Sequence, residues 1–155
     1  MNLILWRHAE AEDAEPDLAR KLTPRGRKQA ARVAAWLDDH LPERYSVIAS
    51  PAARTRQTAD ALCDRYAIDP RLAPDADVAH YIAACEWPAG PLAASGTVVL
   101  VGHQPILGRL ASLLLSGVEH DWTIRKGAIW WLSTREREGG EQVVLRAVVG
   151  PDLLD

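Results

Sequence analysis

Two arginines and two histidines, Arg7, His8, Arg54 and His103, each stand just past a short apolar run. Leu3-Ile4-Leu5-Trp6 leads into Arg7-His8-Ala9-Glu10. Val47-Ile48-Ala49 leads into Ser50-Pro51-Ala52-Ala53-Arg54, with Gln57 and Thr58 one turn further. Val98-Val99-Leu100-Val101 leads into Gly102-His103-Gln104-Pro105. Guanidinium forks match the oxygens of a phosphoryl group. A neutral imidazole is a nucleophile near pH 7, because its unperturbed pKa is about 6.5. Open parallel sheets bind ligands just beyond the carboxyl ends of their strands. If the three runs are adjacent parallel strands, the four side chains share one crevice suited to a phosphoryl group.

In such a crevice His8 would accept the phosphoryl group and release it to water, splitting one displacement into two easier ones. Arg7 and Arg54 would face the charge on the equatorial oxygens. His103 would add a donor, when protonated or in the suitable tautomer. Backbone N–H groups at the helix start after Ser50-Pro51 could assist. The scheme needs no metal and no cofactor. Each motif alone has a plain structural alternative. An Arg-His pair at a strand end is ordinarily solvated, Ser-Pro ordinarily caps a helix, and Gly-His ordinarily turns the chain. Their coincidence at three strand ends is what singles out a phosphate site.

The elements that must position these groups are legible in outline. The run at residues 3–6 is continuous, as expected of a strand covered on both faces. Residues 9–21 are polar and acidic and predict a loop. Thr23-Pro24 predicts a capped helix start. Ala30, Val33, Ala34, Leu37 and Leu41 give that helix one apolar face, and Pro42 stops it. Residues 46–49 predict a second strand, and Ser50-Pro51 a second capped helix running to about 66. A short strand is expected at 71–73, a short helix at 78–85 and a loop at 88–96. Residues 97–101 predict a central strand, 105–115 a helix, and 127–133 and 142–149 two late strands around a turn at Gly139-Gly140. Strand–helix alternation points to a three-layer α/β/α sandwich with a mostly parallel central sheet.

The 155 residues fit one domain spanning 1–155. Hydrophobic residues make up 48% and charged residues 25%, an ordinary globular profile. A net charge of −3 argues against a broad nucleic-acid footprint. Cys63 and Cys85 have neither metal nor C-x-x-C spacing and predict small buried apolar residues in a reducing compartment. No signal-peptide pattern opens the chain, and no apolar run approaches the ~20 residues of a membrane span. A soluble cytoplasmic protein without membrane contact is expected.

Leu5-Trp6-Arg7-His8-Ala9-Glu10 resembles the Arg-His-Gly signature of the histidine phosphatase superfamily, the phosphoglycerate mutase-like fold. Residues 50–59, Ser-Pro-Ala-Ala-Arg-Thr-Arg-Gln-Thr-Ala, resemble its second motif, and Val101-Gly102-His103-Gln104-Pro105 its later Gly-His motif. With the short length and Leu22-Thr23-Pro24-Arg25-Gly26, the chain is similar to the SixA phosphohistidine phosphatase group. The resemblance implies a catalytic set of His8, Arg7, Arg54 and His103. His8 would be the nucleophile, and Arg7, Arg54 and His103 would bind phosphate.

The sequence departs from the family pattern at Ala9, where the signature has glycine. No acidic residue between the second and third motifs sits in a recognisable context for a proton donor. Asp75, Asp77 and Glu86 are candidates there, and Glu10 and Asp13 lie near the first motif. An alkoxide leaving group needs a general acid. An imidazole leaving from a protonated phosphohistidine departs neutral and needs little help. The pattern therefore favours phosphohistidine on a partner protein, such as a phosphotransfer domain. The alternative substrate is a small phosphoester, and a phosphate-binding module without turnover is a third reading. Trp130 and Trp131 are expected on opposite faces of a strand as core. Trp122 is expected to pack or to border the site, and His80 and His120 to be exposed. The acidic stretch 10–17 could repel small anions. Arg125-Lys126 are either a solvated loop end or a contact for an acidic partner.

Overall fold

The computed structural model describes residues 1–91 and 96–155. In chain order the elements are β1 (Asn2–Arg7), α1 (Pro24–His40), β2 (Ser46–Ala49), α2 (Ala53–Asp60) and β3 (Ala67–Ile68). They continue with α3 (Val78–Cys85), β4 (Thr97–Gly102), α4 (Ile106–Ser116), β5 (Ile129–Arg137) and β6 (Gly140–Val149). Part of the loop expected at 88–96 lies outside the described residues.

The strands form one six-stranded sheet in the order β3-β2-β4-β1-β5-β6. β3, β2, β4 and β1 run parallel. The late hairpin closes the far side, with β5 antiparallel to β1 and β6 antiparallel to β5. The topological switch matters most for function. β4 is the last of the parallel strands in sequence, yet it inserts between β1 and β2. Arg7 pairs with Gly102 and Ala49 with Val101, so the three motif strands end side by side.

Alternation along the strands divides the core. Leu3, Leu5, Val98 and Leu100 face α3 and α4, where Tyr81, Cys85, Leu107 and Leu110 are buried. Ile4, Trp6, Val99 and Val101 face α1, meeting Val33, Ala34 and Leu37. Burying one such aliphatic side chain stabilises the fold by about 1.5–3 kcal/mol. Trp131 joins the α1 side and Trp130 packs on the other, as strand geometry requires. α1 begins as its sequence predicts: the Thr23 hydroxyl accepts from the Gly26 N–H at 2.9 Å, and Pro24 occupies the first turn.

Several expectations are corrected. α2 ends at Asp60, not near 66. The chain turns early so that Ala67 and Ile68 can pair with Ile48 and Ala49 at the sheet edge. Sheet pairing outweighs local helix propensity here. The strand expected at 71–73 is a 3-10 turn, Pro70–Leu72. Asp69 caps it, accepting from the Arg71 N–H at 2.9 Å, and Leu72 is driven into the core. Ser50 is not the cap of α2; Ala52 takes that place without a side-chain bond. Cys85 is buried, but Cys63 is partly exposed.

Candidate active site

His8, Ser50 and His103 follow directly from the three strand ends. The His8 N–H donates to the Gly102 carbonyl at 3.2 Å, and the Ser50 N–H to the Val101 carbonyl at 3.1 Å. These bonds extend the parallel ladder one step past the strands and bring the loops together. The ring centroids of His8 and His103 are 5.4 Å apart. Nε2 of His103 meets the Ser50 hydroxyl at 2.7 Å. The sequence expectation that strand ends would converge holds for these residues.

The environment of His8 sets its proton. Its Nδ1 lies 2.7 Å from the Ala9 carbonyl oxygen. A carbonyl only accepts, so Nδ1 carries the hydrogen and Nε2 keeps a free lone pair. Burial lowers the His8 pKa to about 4; the Ala9 bond opposes this, while the charges of Arg54, Arg7 and Arg20 reinforce it. Burial also lowers His103 to about 3, helped by His8 and Arg54. Both rings are therefore neutral at pH 7. Of the two expected forms of His103, burial favours the neutral tautomer.

Arg54 is 3% exposed, on the first turn of α2. Its Nη1 donates to the Asp17 carbonyl at 2.9 Å and its Nη2 to the Asp17 carboxylate at 3.1 Å. Arg7 is half-buried, and its Nη1 donates to the Ile124 carbonyl at 3.0 Å. Burial lowers the Arg7 pKa from its ordinary value. The Nε atoms of both arginines are buried without a hydrogen-bond partner among the described residues. A buried guanidinium N–H left unpaired is costly, and two in one site fit an anion as the missing acceptor.

The framework around these groups is tightly bonded. The Ala9 N–H donates to the Thr58 hydroxyl at 3.1 Å, which in turn donates to the Arg54 carbonyl at 2.7 Å. The first and second motifs are thus tied through Thr58. Gln57 accepts from the Leu22 N–H at 2.8 Å and anchors the loop before α1. The Ala9 methyl group is fully buried with Leu22 and Ala30, which accommodates the departure from glycine. Tyr81 donates to the Leu72 carbonyl at 3.0 Å and accepts from the His103 N–H at 3.2 Å. Tyr81 and Ser50 as supports of His103 escaped the sequence reading, since nothing in their spacing points to residue 103.

The carboxylates fall differently from expectation. Asp75 is exposed, Asp77 caps α3 by accepting from the His80 N–H, and exposed Glu86 ends that helix. Glu10 accepts from the Thr23 hydroxyl at 2.7 Å and so braces α1. Asp13 sits 3.8 Å from Arg20. The carboxylate in the site is Asp17. Burial pushes its pKa up, but bonds and charge from Arg54 and Arg20 outweigh this and hold it below the usual range. It lay unmarked within the acidic stretch 10–17, because only the 3-10 turn Asp17–Ala19 brings it onto Arg54. Trp122 packs beside Trp130, with centroids 6.0 Å apart, and its carbonyl accepts from Gln104.

Residues 3–77 match the histidine phosphatase superfamily (branch 1). An uncharacterised protein of Picosynechococcus is 32% identical over 139 residues, spanning 83% of this chain and 82% of that one. A structure of the protein histidine phosphatase SixA complexed with tungstate superimposes with a TM-score of 0.82 at 26% identity, covering 99% of each chain. A Nakamurella multipartitia protein assigned as a phosphohistidine phosphatase SixA gives 0.76 at 30% identity, over 97% of this chain and 95% of that one. The chain belongs to the histidine phosphatase superfamily. It is a phosphatase, and its α/β architecture is the phosphoglycerate mutase-like one.

Proposed function

We propose that this phosphatase removes phosphoryl groups from phosphohistidine on a partner protein, through a phosphohistidine intermediate at His8. The observation that carries the reading is the His8 ring. With Nδ1–H donated to the Ala9 carbonyl, Nε2 is unprotonated beside two guanidinium groups whose Nε–H bonds lack partners. Nε2 forms a bond to phosphorus while the bond from phosphorus to the substrate imidazole breaks. The departing ring already holds a proton on its other nitrogen and leaves neutral. Water then forms a bond to phosphorus while the bond to Nε2 breaks and its electron pair returns to the ring. One water hydrogen stays as the new hydroxyl, the other passes to a non-bridging phosphate oxygen, and inorganic phosphate departs.

Arg7 and Arg54 hold the equatorial oxygens, and His103 adds a neutral N–H, fixed in place by Ser50 and Tyr81. A phosphoryl group meets Arg54 at Nε, or displaces Asp17 from the fork. The likeness to SixA proteins supports a protein-borne substrate. So does α3, the helix between the second and third motifs. Val78, Tyr81, Ala84 and Cys85 commit it to the core rather than to covering the site.

The test compares initial rates on a phosphohistidine-bearing phosphotransfer domain with rates on a panel of sugar phosphates. The domain is expected to be preferred by orders of magnitude. The reverse preference would overturn the substrate assignment in favour of a small-phosphoester phosphatase. A His8→Ala variant with undiminished turnover would reject the intermediate.

A further inference from the structure

Next to the residues assigned to the chemistry, and sharing only Arg7 with them, lies an open groove of about 590 Å³. Six cations line it: Arg7, Arg25, Lys28, Arg32, Arg125 and Lys126. Two carboxylates, Glu10 and Asp152, also face it. Glu10 lies 3.8 Å from Arg25 and Asp152 3.5 Å from Arg125. Lys28, Arg32 and Lys126 have no ion-pair partner among the described residues. This positive surface stands on a chain whose net charge is −3.

Its shape argues against a single small anion. Arg25, Lys28 and Arg32 follow one stripe of α1 at i, i+3 and i+7. At 1.5 Å per residue that stripe is about 10 Å long. Arg125 and Lys126 line the same groove from the loop before β5. A row of separated, exposed cations matches several carboxylates spread over a protein surface.

Both sides are bonded to the segment that carries the nucleophile. The Gly127 N–H donates to the carbonyls of Arg7 and His8, each at 3.1 Å. On the other side, the Glu10 N–H donates to Gln29 of α1 at 3.0 Å, and the Thr23 N–H donates to the Glu10 carbonyl at 3.0 Å. A body seated in the groove is therefore held in register with His8.

We infer that this groove docks an acidic face of the partner protein that presents the phosphohistidine. The identity of the occupant rests on the function proposed above; the affinity of the groove for carboxylates does not. Docking through such a surface raises the association rate and leaves the chemical step alone.

The experiment uses two probes against the full chain carrying Lys28→Glu, Arg32→Glu and Lys126→Glu. A chain with Arg44→Glu, Arg135→Glu and Arg137→Glu carries the same change of net charge elsewhere. The first probe is a fluorescein-labelled oligoglutamate peptide, followed by anisotropy at low and at ~0.15 M salt. The groove variant is expected to bind it at least ~10-fold more weakly than the native chain and the control. Equal binding by all three chains overturns the groove as a carboxylate site.

The second probe is a phosphohistidine-bearing phosphotransfer domain, set against an aryl phosphate. In the groove variant kcat/KM on the domain should fall ~10-fold or more, with the aryl phosphate within about twofold. Loss on both substrates together would make the groove part of the catalytic centre and overturn docking. A native chain that cleaves the aryl phosphate but not the domain sinks the proposed function. The peptide measurement then still decides the groove.

Discussion

The rings of His8 and His103 lie 5.4 Å apart, centre to centre, with their planes tilted by 53°. Neither carries charge at neutral pH, because both are buried among arginines. Two imidazolium ions at this separation would repel each other and the guanidinium groups beside them. In the proposed mechanism, neutral rings leave His8 free to act as the nucleophile and His103 as a donor, with the positive charge left to Arg7 and Arg54.

This has a consequence for pH. Both folded pKa values, about 4 and about 3, lie below the 6.5 of an unfolded histidine. From pH 6.5 downward the unfolded chain takes up protons that the native sites refuse, so stability falls as the pH falls. Each histidine contributes a slope of at most about 1.4 kcal/mol per pH unit until the folded pKa is reached. NMR titration should place both ring midpoints well under 6.5, and denaturant unfolding at pH 7, 6 and 5 should show the decline. A His8 midpoint at 6.5 or above would contradict the neutral site.

Asp17 occupies the fork of Arg54 that a phosphate would otherwise engage. Asp17→Asn removes the carboxylate charge while keeping the shape. Inhibition by inorganic phosphate should become about three- to tenfold tighter, since the anion no longer competes with a charged neighbour. Unchanged inhibition constants would mean that phosphate never contests this contact.

Gly26 offers a test of how α1 is joined to the first motif. A Cβ at this position would run into the backbone carbonyl of Glu10, two residues past His8. In an exposed helix, Gly to Ala stabilises by about 1 kcal/mol. Here Gly26→Ala should destabilise by about 1–3 kcal/mol, because backbone must shift to admit the methyl group. Thermal or denaturant unfolding reads the sign directly.

Tyr81→Phe removes a buried hydroxyl that donates to Leu72 and accepts from His103. Two buried backbone groups lose their partner, at a cost of about 1–3 kcal/mol in unfolding free energy. The backbone amide resonance of His103 should move in the same variant. A chain of native stability with an unshifted resonance would remove Tyr81 from the support of the site.

Much of the fold was legible because its signals are local. The continuous runs in β1 and β4, the Thr23-Pro24 start of α1 and the apolar stripe of Ala30, Val33, Ala34 and Leu37 each identify their element without reference to distant residues. The errors came where distant contacts decide. α2 stops at Asp60 because β3 pairs with β2. Ser50 looked like a cap and instead holds His103, a partner 53 positions away.

The candidate site divides along the same line. Arg7, His8, Arg54 and His103 could be named from sequence because each follows a strand pattern, and sheets place such positions at one edge. The insertion of β4 between β1 and β2, which makes them neighbours, is a property of the assembled sheet. Asp17 at Arg54 and the cationic groove join residues far apart in the chain, so no spacing rule announces them. The neutrality of both histidines likewise comes from the surrounding protein, since desolvation acts only once the chain has closed around the rings.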